Sequence, residues 1–236
     1  MLVILLEQCE QKKAELASAK LANIWDCSPM RELKCGALQL QGSFGANGYV
    51  IPLENSYAVV DPGMWFGAKA VITELATAGI LGSVEHILLT HYDLDHAGAA
   101  QALATETGAT LWIGQADADI LTGRRPAGTF VRRITSSLFR PKIPEDTAYI
   151  DKDPGFPATI AAVPTPGHTP GHFAFVWERT LLCGDSARVN ADGTLRDFMH
   201  ALNTDSQQAR VSRQQLTTVD VDWVCPGHGK VTQRRR

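Results

Sequence analysis

The stretch Thr90-His91-Tyr92-Asp93-Leu94-Asp95-His96-Ala97-Gly98 places four potential metal ligands within six residues. It directly follows the apolar run His86-Ile87-Leu88-Leu89, which is typical of a buried strand that delivers side chains to a site. Imidazole and carboxylate groups together suit zinc, iron or manganese better than a soft thiolate site would. The stretch therefore predicts a metal-binding loop at the end of a buried strand.

Three later turns are also rich in potential ligands. They are Thr165-Pro166-Gly167-His168-Thr169-Pro170-Gly171-His172, Cys183-Gly184-Asp185 and Pro226-Gly227-His228-Gly229. Turns this far apart in the chain can converge only in a folded site, so together they predict a metal-dependent enzyme. The alternative is a set of polar loop residues that satisfy one another.

The spacing of the ligands favours two metal ions. His91, Asp93 and Asp95 alternate, so they can share one side of the loop, whereas the adjacent Asp95 and His96 are expected to point apart. One zinc ion seldom uses more than four or five ligands. A dinuclear centre with a shared carboxylate is therefore expected when the distant ligands are added: His168, Asp185 and His228.

Composition excludes some classes of protein. A chain of 236 residues can bury a sizeable core, and its net charge of −3 gives no general attraction to nucleic acid or acidic membranes. No run approaches the roughly 20 apolar residues of a membrane span, and the N-terminus lacks the pattern of a signal peptide. We expect a protein without a membrane partner, and the oligomeric state is left open.

The five cysteines form no CxxC pair and no regular framework. This usage fits a reducing cytoplasm better than a secreted disulfide scaffold, so we expect a cytoplasmic location. Cys183 and Cys225 are expected to be buried and to behave as small hydrophobic residues.

Short strands separated by Gly-rich turns are predicted from residue 35 onward. The predicted strands are 37–41, 49–52, 57–61, 86–89, 110–113, 159–163, 173–177, 180–183 and 221–225. The predicted helices are 66–78, 97–107 and 205–217, whereas 115–145 is predicted to be less regular. Strand pairs in both halves, with helices between them, predict two sheets packed face to face and covered by helices outside.

The first 29 residues differ from the rest. Residues 3–25 predict an amphipathic helix that is broken at Cys27-Ser28-Pro29. We predict that 1–29 is an N-terminal helical appendage, or an upstream misassigned start, and that 30–236 is one domain. The alternative is an ordinary N-terminal helix that packs on the core.

The order of these motifs resembles the metallo-β-lactamase superfamily, which includes hydroxyacylglutathione hydrolases, lactonases, RNA-processing nucleases and flavo-diiron oxygen reductases. The resemblance spans residues 36–230 and includes the strand pair Asn47-Gly48-Tyr49-Val50-Ile51 and Val59-Val60-Asp61-Pro62-Gly63. It implies an α/β (α+β) fold, a four-layer αββα sandwich of two mixed β-sheets flanked by helices.

The resemblance also implies roles for the ligands. One divalent ion would be held by His91, Asp93 and His168, and the second by Asp95, His96 and His228, with Asp185 bridging both. A hydroxide between the ions would attack an electrophilic carbonyl or phosphorus, and Asp95 could orient it and accept its proton as the catalytic residue.

Two further residues are expected beside the ligands. His172 is expected either to face the substrate or to hydrogen-bond within its turn. Asp61 is expected to support the ligands through hydrogen bonds, and the alternative for it is a plain turn residue.

The usual loop of this family is His-x-His-x-Asp-His. In this chain Asp93 occupies the position of the second histidine. The change makes the centre more negative by one unit charge. At about 4 Å from a charged substrate group, one unit charge contributes an interaction energy of up to ~4 kcal/mol at an effective dielectric near 20. We therefore expect weaker attraction for anionic substrates and weaker activation of water. Zinc is the expected metal, but the oxygen-rich site would tolerate iron or manganese. A carboxylate that does not bind metal is the alternative.

The leading functional hypothesis is a hydrolase acting on a thioester, ester or lactone, with a small molecule as substrate. It rests on the hydroxyacylglutathione-hydrolase-like turn at 165–172, although only eight residues follow His228, where that enzyme has a helical region. The alternatives are a di-iron oxidoreductase, a phosphodiesterase or nuclease, and a non-catalytic metal-binding scaffold. Basic residues could bind a phosphate or carboxylate, or could simply be solvated: Arg124, Arg125, Arg132, Arg133, Arg140 and Lys142.

Overall fold

A computed structural model describes residues 30–128 and 140–234. The predicted N-terminal helix and appendage lie outside the described residues, and so do Arg132 and Arg133. The strands are β1 Arg31–Glu32, β2 Leu38–Gln39, β3 Tyr49–Pro52, β4 Tyr57–Val60, β5 Val84–Leu88, β6 Thr110–Ile113, β7 Ala148–Tyr149, β8 Ile160–Pro164, β9 Phe173–Trp177, β10 Thr180–Gly184, β11 Arg188–Val189, β12 Leu195–Arg196, β13 Trp223–Pro226 and β14 Thr232–Gln233. The α-helices are α1 Ala68–Thr77, α2 Leu94–Ala97, α3 Ala100–Thr107, α4 Gln115–Leu121 and α5 Ser206–Thr217.

The strands form two mixed sheets. The first sheet has the order β1-β2-β3-β4-β5-β6-β7, with antiparallel pairs up to β4 and parallel pairs from β4 to β7. The second has the order β14-β13-β10-β9-β8, in which β10 and β13 are parallel and the other pairs antiparallel. A separate ribbon pairs β11 with β12.

Alternate residues of the central strands enter different hydrophobic clusters, because successive side chains of a strand point to opposite faces. On β3, Tyr49 and Ile51 join the cluster between the sheets, whereas Val50 joins the cluster that α1 and α3 cover. On β9, Phe175 faces the cluster between the sheets and Ala174 faces a third cluster, to which α5 contributes. Three apolar clusters therefore separate four layers, and the predicted αββα sandwich is confirmed.

Most predicted elements are present with shifted ends, but two predictions fail. The predicted helix 97–107 is divided into α2 and α3, with Gly98 packed so closely that a Cβ there would lie 2.6 Å from the Trp65 nitrogen. The prediction that 115–145 is irregular was wrong for α4. The buried face of α4 includes Asp117. A carboxylate at a buried position interrupts the apolar periodicity by which a helix is predicted from sequence.

The predicted helix 205–217 begins where its capping residue indicates. The Asp205 carboxylate accepts hydrogen bonds of 2.9 Å from the backbone N–H groups of Gln207 and Gln208, which satisfies two donors of the first turn. Among the described residues, no helix combines the length and apolar character needed to cross a bilayer.

Candidate metal centre

The ends of strands from both sheets meet at one edge of the sandwich. The loop after β5 carries His91, the turn between β8 and β9 carries His168, and Asp185 directly follows β10. Backbone hydrogen bonds fasten these loops to one another: Phe173 N–H donates to the Thr90 carbonyl at 2.8 Å. The convergence predicted from sequence is therefore present in the fold.

Two groups of potential ligand atoms form at this edge, each with its atoms within 4.8 Å of one another. The first group is His91, His168 and Asp185, and the second is Asp95, His96 and His228. Six of the seven predicted ligands thus fall into two groups of three.

Asp185 lies between the two groups. Its Oδ2 atom is 3.6 Å from Nε2 of His168 and 3.4 Å from Nε2 of His228, and its Oδ1 atom is 3.5 Å from Nε2 of His96. One carboxylate therefore contacts histidines of both groups, which is the arrangement that a shared ligand requires.

Asp93, the residue that departs from the usual loop, belongs beside the first group. Its Oδ2 atom lies 3.1 Å from Nε2 of His168 and 3.4 Å from Nε2 of His91. The Asp93 carboxylate therefore lies near both His91 and His168, the two histidines with which it would bind a metal ion.

The expectation that Asp95 and His96 point apart was wrong. Their ligand atoms lie 3.8 Å apart and belong to the same group. The reason is that residues 94–97 fold into the short helix α2 instead of an extended loop. Adjacent side chains on a helix diverge by about 100°, which lets both reach one point.

Asp61 supports both groups through hydrogen bonds. Its Oδ2 atom lies 2.9 Å from Nδ1 of His96 and accepts a 2.7 Å bond from the Thr90 hydroxyl, and its Oδ1 atom accepts from the Thr90 N–H at 2.8 Å. The Thr90 hydroxyl in turn lies 3.0 Å from Nδ1 of His91. Outer partners of this kind set the orientation and basicity of ligating histidines.

His172 faces its own turn. Its Nδ1 atom lies 2.7 Å from the Thr165 hydroxyl, and its Nε2 atom accepts a 3.2 Å hydrogen bond from the Asp185 N–H. Burial, followed by the neighbouring His91 and His168, lowers the pKa of His172 well below the usual value, which keeps the ring neutral. This geometry favours the hydrogen-bonding alternative, because both ring nitrogens are engaged.

Asp117 is the important residue that the sequence interpretation missed. From α4, its carboxylate accepts hydrogen bonds from the Tyr92 N–H at 3.1 Å, the Thr169 hydroxyl at 2.7 Å and the Gly171 N–H at 2.7 Å. It thereby ties the loop of His91 to the turn of His168. Burial raises the pKa of Asp117 to about 7. Only its acidic character within an otherwise apolar helix face could have indicated this role.

Asn47 and Tyr49 hold the last turn in place. The Asn47 amide donates to the carbonyls of Pro226 and Gly229 at 3.0 and 2.9 Å, and the Tyr49 hydroxyl donates to the Pro226 carbonyl at 2.7 Å. A Cβ atom at Gly227 would lie 2.4 Å from Oδ1 of Asp185. Glycine is needed there because the turn passes so close to the central carboxylate.

Charge couples the ligands to one another. Burial alone would lower the pKa of His96, but Asp185 and Asp61 outweigh it and hold that pKa well above the usual value. Burial would likewise raise the pKa of Asp185, but the charge of His96 and the hydrogen bond from His228 hold it well below normal. Hydrogen bonds with Asp185 and Asp95 raise the pKa of His228 to about 9.

The donor atoms fit a bound cation. Within 30–128 and 140–234, three buried atoms of this centre make no hydrogen bond: Nε2 of His91, Nε2 of His96 and Oδ1 of Asp185. A buried polar atom left without a partner costs about 1–3 kcal/mol, so atoms of this kind around one centre suit metal ions. The centre opens to solvent at Asp93, Asp95 and His228, whose side chains are 24, 29 and 27% exposed.

The basic residues divide into two sets. The Arg124 guanidinium lies 2.7 Å from the Asp119 carboxylate and donates to the Tyr149 hydroxyl at 2.9 Å, so it has structural partners. Arg140 and Lys142 instead line a cavity of about 350 Å³ together with Trp65 and Leu94. Leu94 stands between Asp93 and Asp95 in the chain, so the cavity shares one residue with the ligand loop, but none of the seven predicted ligands lines it.

A cluster of histidines and carboxylates at one edge of a four-layer αββα sandwich defines an enzyme of the hydrolytic metallo-β-lactamase type. The chain belongs to the metallo-β-lactamase superfamily, because the model of that family matches residues 42–228. The resemblance inferred from the motifs is thereby confirmed.

The chain is also similar to individual proteins in sequence and in structure. The chain is 28% identical over 208 residues to YobT of Bacillus subtilis, a match that covers 79% of this chain and 84% of that protein. It is 30% identical over 128 residues to a hydroxyacylglutathione hydrolase of Shewanella denitrificans, covering 54% of this chain and 41% of that enzyme. The match thus spans less than half of that enzyme. The crystal structure of TTHA1623 in a di-iron-bound form superposes with a TM-score of 0.63 at 22% identity, covering 80% of this chain and 89% of that one.

Proposed function

We propose that this chain is a cytoplasmic metal-dependent hydrolase whose dinuclear centre cleaves a thioester, ester or lactone of a small molecule. The observation that supports it best is the position of Asp185, whose carboxylate contacts His168 of the first group and both His96 and His228 of the second. Ions that share this carboxylate would stand close enough to act on one carbonyl. The proposed ligands are His91, Asp93 and His168 for one ion and Asp95, His96 and His228 for the other, with Asp185 shared.

Two divalent ions, zinc being the first expectation, would supply an activated water and polarise the substrate oxygen when bound. Asp95 lies at the open mouth of the centre, with Oδ2 3.2 Å from Nε2 of His228. Burial would raise the pKa of Asp95, but the hydrogen bond with His228 and the charge of His96 outweigh it and lower that pKa. The carboxylate is therefore ionised at neutral pH, and it can orient the nucleophile and receive its proton at Oδ1.

The cavity beside Leu94 would hold the part of the substrate that does not react. Trp65, 60% exposed, and Leu94 give it an apolar wall, while Arg140 and Lys142 give it two positive charges. We therefore propose an acyl group with an apolar chain and an anionic end.

The test is a panel of thioesters, esters, lactones and phosphodiesters, assayed with the purified zinc, manganese and iron forms. We expect metal-dependent cleavage of a carbonyl substrate, and we expect Asp95→Ala to abolish it. Absence of metal-dependent hydrolysis throughout the panel would contradict the proposal. For the cavity, the double change Arg140→Gln and Lys142→Gln should raise KM for an acyl chain ending in carboxylate and not for its methyl-ended analogue. Lys152→Gln, which changes an exposed lysine elsewhere, is the matched control.

A di-iron oxidoreductase is the second candidate, because Asp93 brings an additional oxygen to within 3.1 Å of His168 Nε2. Metal analysis of protein produced without added zinc, together with its absorption spectrum, separates the two. Stoichiometric iron with reversible reduction and no hydrolysis would favour this candidate.

A further inference from the structure

Asn203 is a buried polar residue to which the proposed hydrolysis assigns no role. It directly follows the short 3₁₀ turn His200–Leu202 and lies two residues before Asp205, which caps α5. Its side-chain oxygen, Oδ1, lies 3.1 Å from Nδ1 of His168, and both residues are buried. The Asn203 amide therefore contacts the side of the His168 ring that faces away from the other proposed ligands.

The backbone holds these two side chains in register. The Thr204 N–H donates to the His168 carbonyl at 3.0 Å, and the Asp205 N–H donates to the Gly167 carbonyl at 2.8 Å. A Cβ atom at Gly167 would lie 2.2 Å from the backbone nitrogen of Ala209, so α5 packs directly on this turn. The segment that carries the amide is thus fastened to the segment that carries the imidazole.

The two nitrogens of the His168 ring have different surroundings. Nε2 lies 3.1 Å from Oδ2 of Asp93 and 3.6 Å from Oδ2 of Asp185, so it faces the first group of ligands. Nδ1 faces the amide oxygen of Asn203, which can only accept a hydrogen bond. A proton on Nδ1 satisfies this contact. A neutral ring then has its lone pair on Nε2, the nitrogen that would bind the metal ion.

The buried ligand histidines have outer partners of different chemistry. Nδ1 of His96 lies 2.9 Å from the Asp61 carboxylate, and Nδ1 of His91 lies 3.0 Å from the Thr90 hydroxyl. For His168 the partner is the neutral amide. Outer partners fix the tautomer and the orientation of a ligating imidazole. The amide is therefore the group that can set both for His168.

We propose that Asn203 is a positioning residue for metal binding, whose side-chain oxygen keeps the ring proton of His168 on Nδ1 and presents Nε2 to the first ion. The inference rests on the proposed dinuclear centre and not on its hydrolytic activity. Asn203 acts through His168 alone. Without the acceptor oxygen, the ring would lose the partner that selects its tautomer, and the first position would bind metal more weakly.

The direct test is nuclear magnetic resonance of wild-type, full-length protein with ¹⁵N-labelled histidine, in the metal-free and zinc-loaded forms. We expect the His168 ring to carry a proton on Nδ1 in both forms, with its signals assigned by their loss in His168→Gln. A ring that carries its proton only on Nε2 would overturn the proposal. This readout needs no variant of Asn203, so a variant that does not fold leaves the test intact.

Zinc titrations against a chromophoric chelator test the consequence for binding. Asn203→Leu, which has a similar size and no acceptor, should weaken one of the two zinc positions by about 10–100-fold and leave the other unchanged. Asn203→Asp, which keeps an acceptor oxygen, should bind at least as tightly as wild type. Asn55→Leu is the matched control, because it changes an exposed asparagine between β3 and β4.

Two titration results would also overturn the proposal. One is wild-type zinc affinity in Asn203→Leu, and the other is an equal loss in Asn203→Leu and Asn203→Asp, which would mean that the acceptor oxygen has no role. Both measurements work without substrate. A chain that binds two zinc ions but hydrolyses nothing would therefore contradict the proposed function alone, and the metal-free spectrum tests the ring even if no zinc binds.

Discussion

The Oδ2 atom of Asp93 lies 3.1 Å from Nε2 of His168, although the two residues are 75 positions apart in the chain. The family loop would have a histidine at position 93, and the shorter carboxylate still reaches the same group of ligands. The first proposed metal site therefore combines two imidazoles with two carboxylates, those of Asp93 and Asp185.

Asp93→His should shift metal preference toward zinc. An imidazole is a softer ligand than a carboxylate, so the ratio of zinc to manganese affinity should rise at least about tenfold, which corresponds to ~1.4 kcal/mol. Competition titrations with a chromophoric chelator measure this ratio. An unchanged ratio would mean that Asp93 does not bind the metal.

Asp185→Asn should remove metal from both positions, because both groups contact this carboxylate. We expect fewer than two ions per chain by elemental analysis and a fall in kcat/KM that exceeds the 10–100-fold typical of outer partners. Asp220→Asn is the control, since the Asp220 side chain is 82% exposed and pairs with Arg179 away from the centre. Full metal content in Asp185→Asn would disprove the shared-ligand assignment.

Asp117→Asn should weaken metal binding although it changes none of the proposed metal ligands. The amide has one acceptor oxygen, so its nitrogen would face either the Tyr92 N–H or the Gly171 N–H, which both donate to the native carboxylate. We expect a loss of about 10–100-fold in metal affinity, measured by calorimetry, with an unchanged circular dichroism spectrum. Asp119→Asn on the same helix, whose partner is Arg124, should bind metal normally.

Gly227→Ala should disrupt the centre through contact alone. The added methyl group would lie 2.4 Å from Oδ1 of Asp185 and 2.7 Å from Cε1 of His96, so the turn or the carboxylate must shift. Metal content and activity should both fall. Gly82→Ala is the matched control, because a Cβ at Gly82 would have no neighbour within 4 Å. Equal behaviour of the two variants would show that the turn tolerates movement.

The alkylation rate of Cys35 by iodoacetamide should rise with pH around a midpoint of about 6. The sign follows from the chemistry: the thiolate is the nucleophile, and lowering the pKa of Cys35 increases its thiolate fraction at neutral pH. The largest cause of the lowered pKa of Cys35 is a hydrogen bond from Cys225. Cys225→Ala should therefore move the midpoint toward that of an ordinary cysteine. A wild-type midpoint near 9 would contradict this assignment.

Particular elements show what the chain's patterns could reveal. Strands such as β3 and β9 were predicted with their observed bounds, because runs of β-branched and aromatic residues are confined between turn residues. The helix α5 was predicted over 205–217, and the structure shows it beginning at Ser206, directly after the capping residue Asp205. By contrast, α4 was missed, since Asp117 satisfies a structural need that only the neighbouring loops create.

The sequence by itself determined the αββα layers and which histidines and aspartates are the candidate metal ligands, because periodicity and the clustering of ligand types are local properties of the chain. Only the tertiary structure decided which ligand atoms approach one another. The helical turn at 94–97 brings Asp95 and His96 to one group, and the parallel pairing of β10 with β13 brings Asp185 next to the turn of His228. Such contacts between distant segments depend on how layers stack, and no pattern within a single segment encodes that.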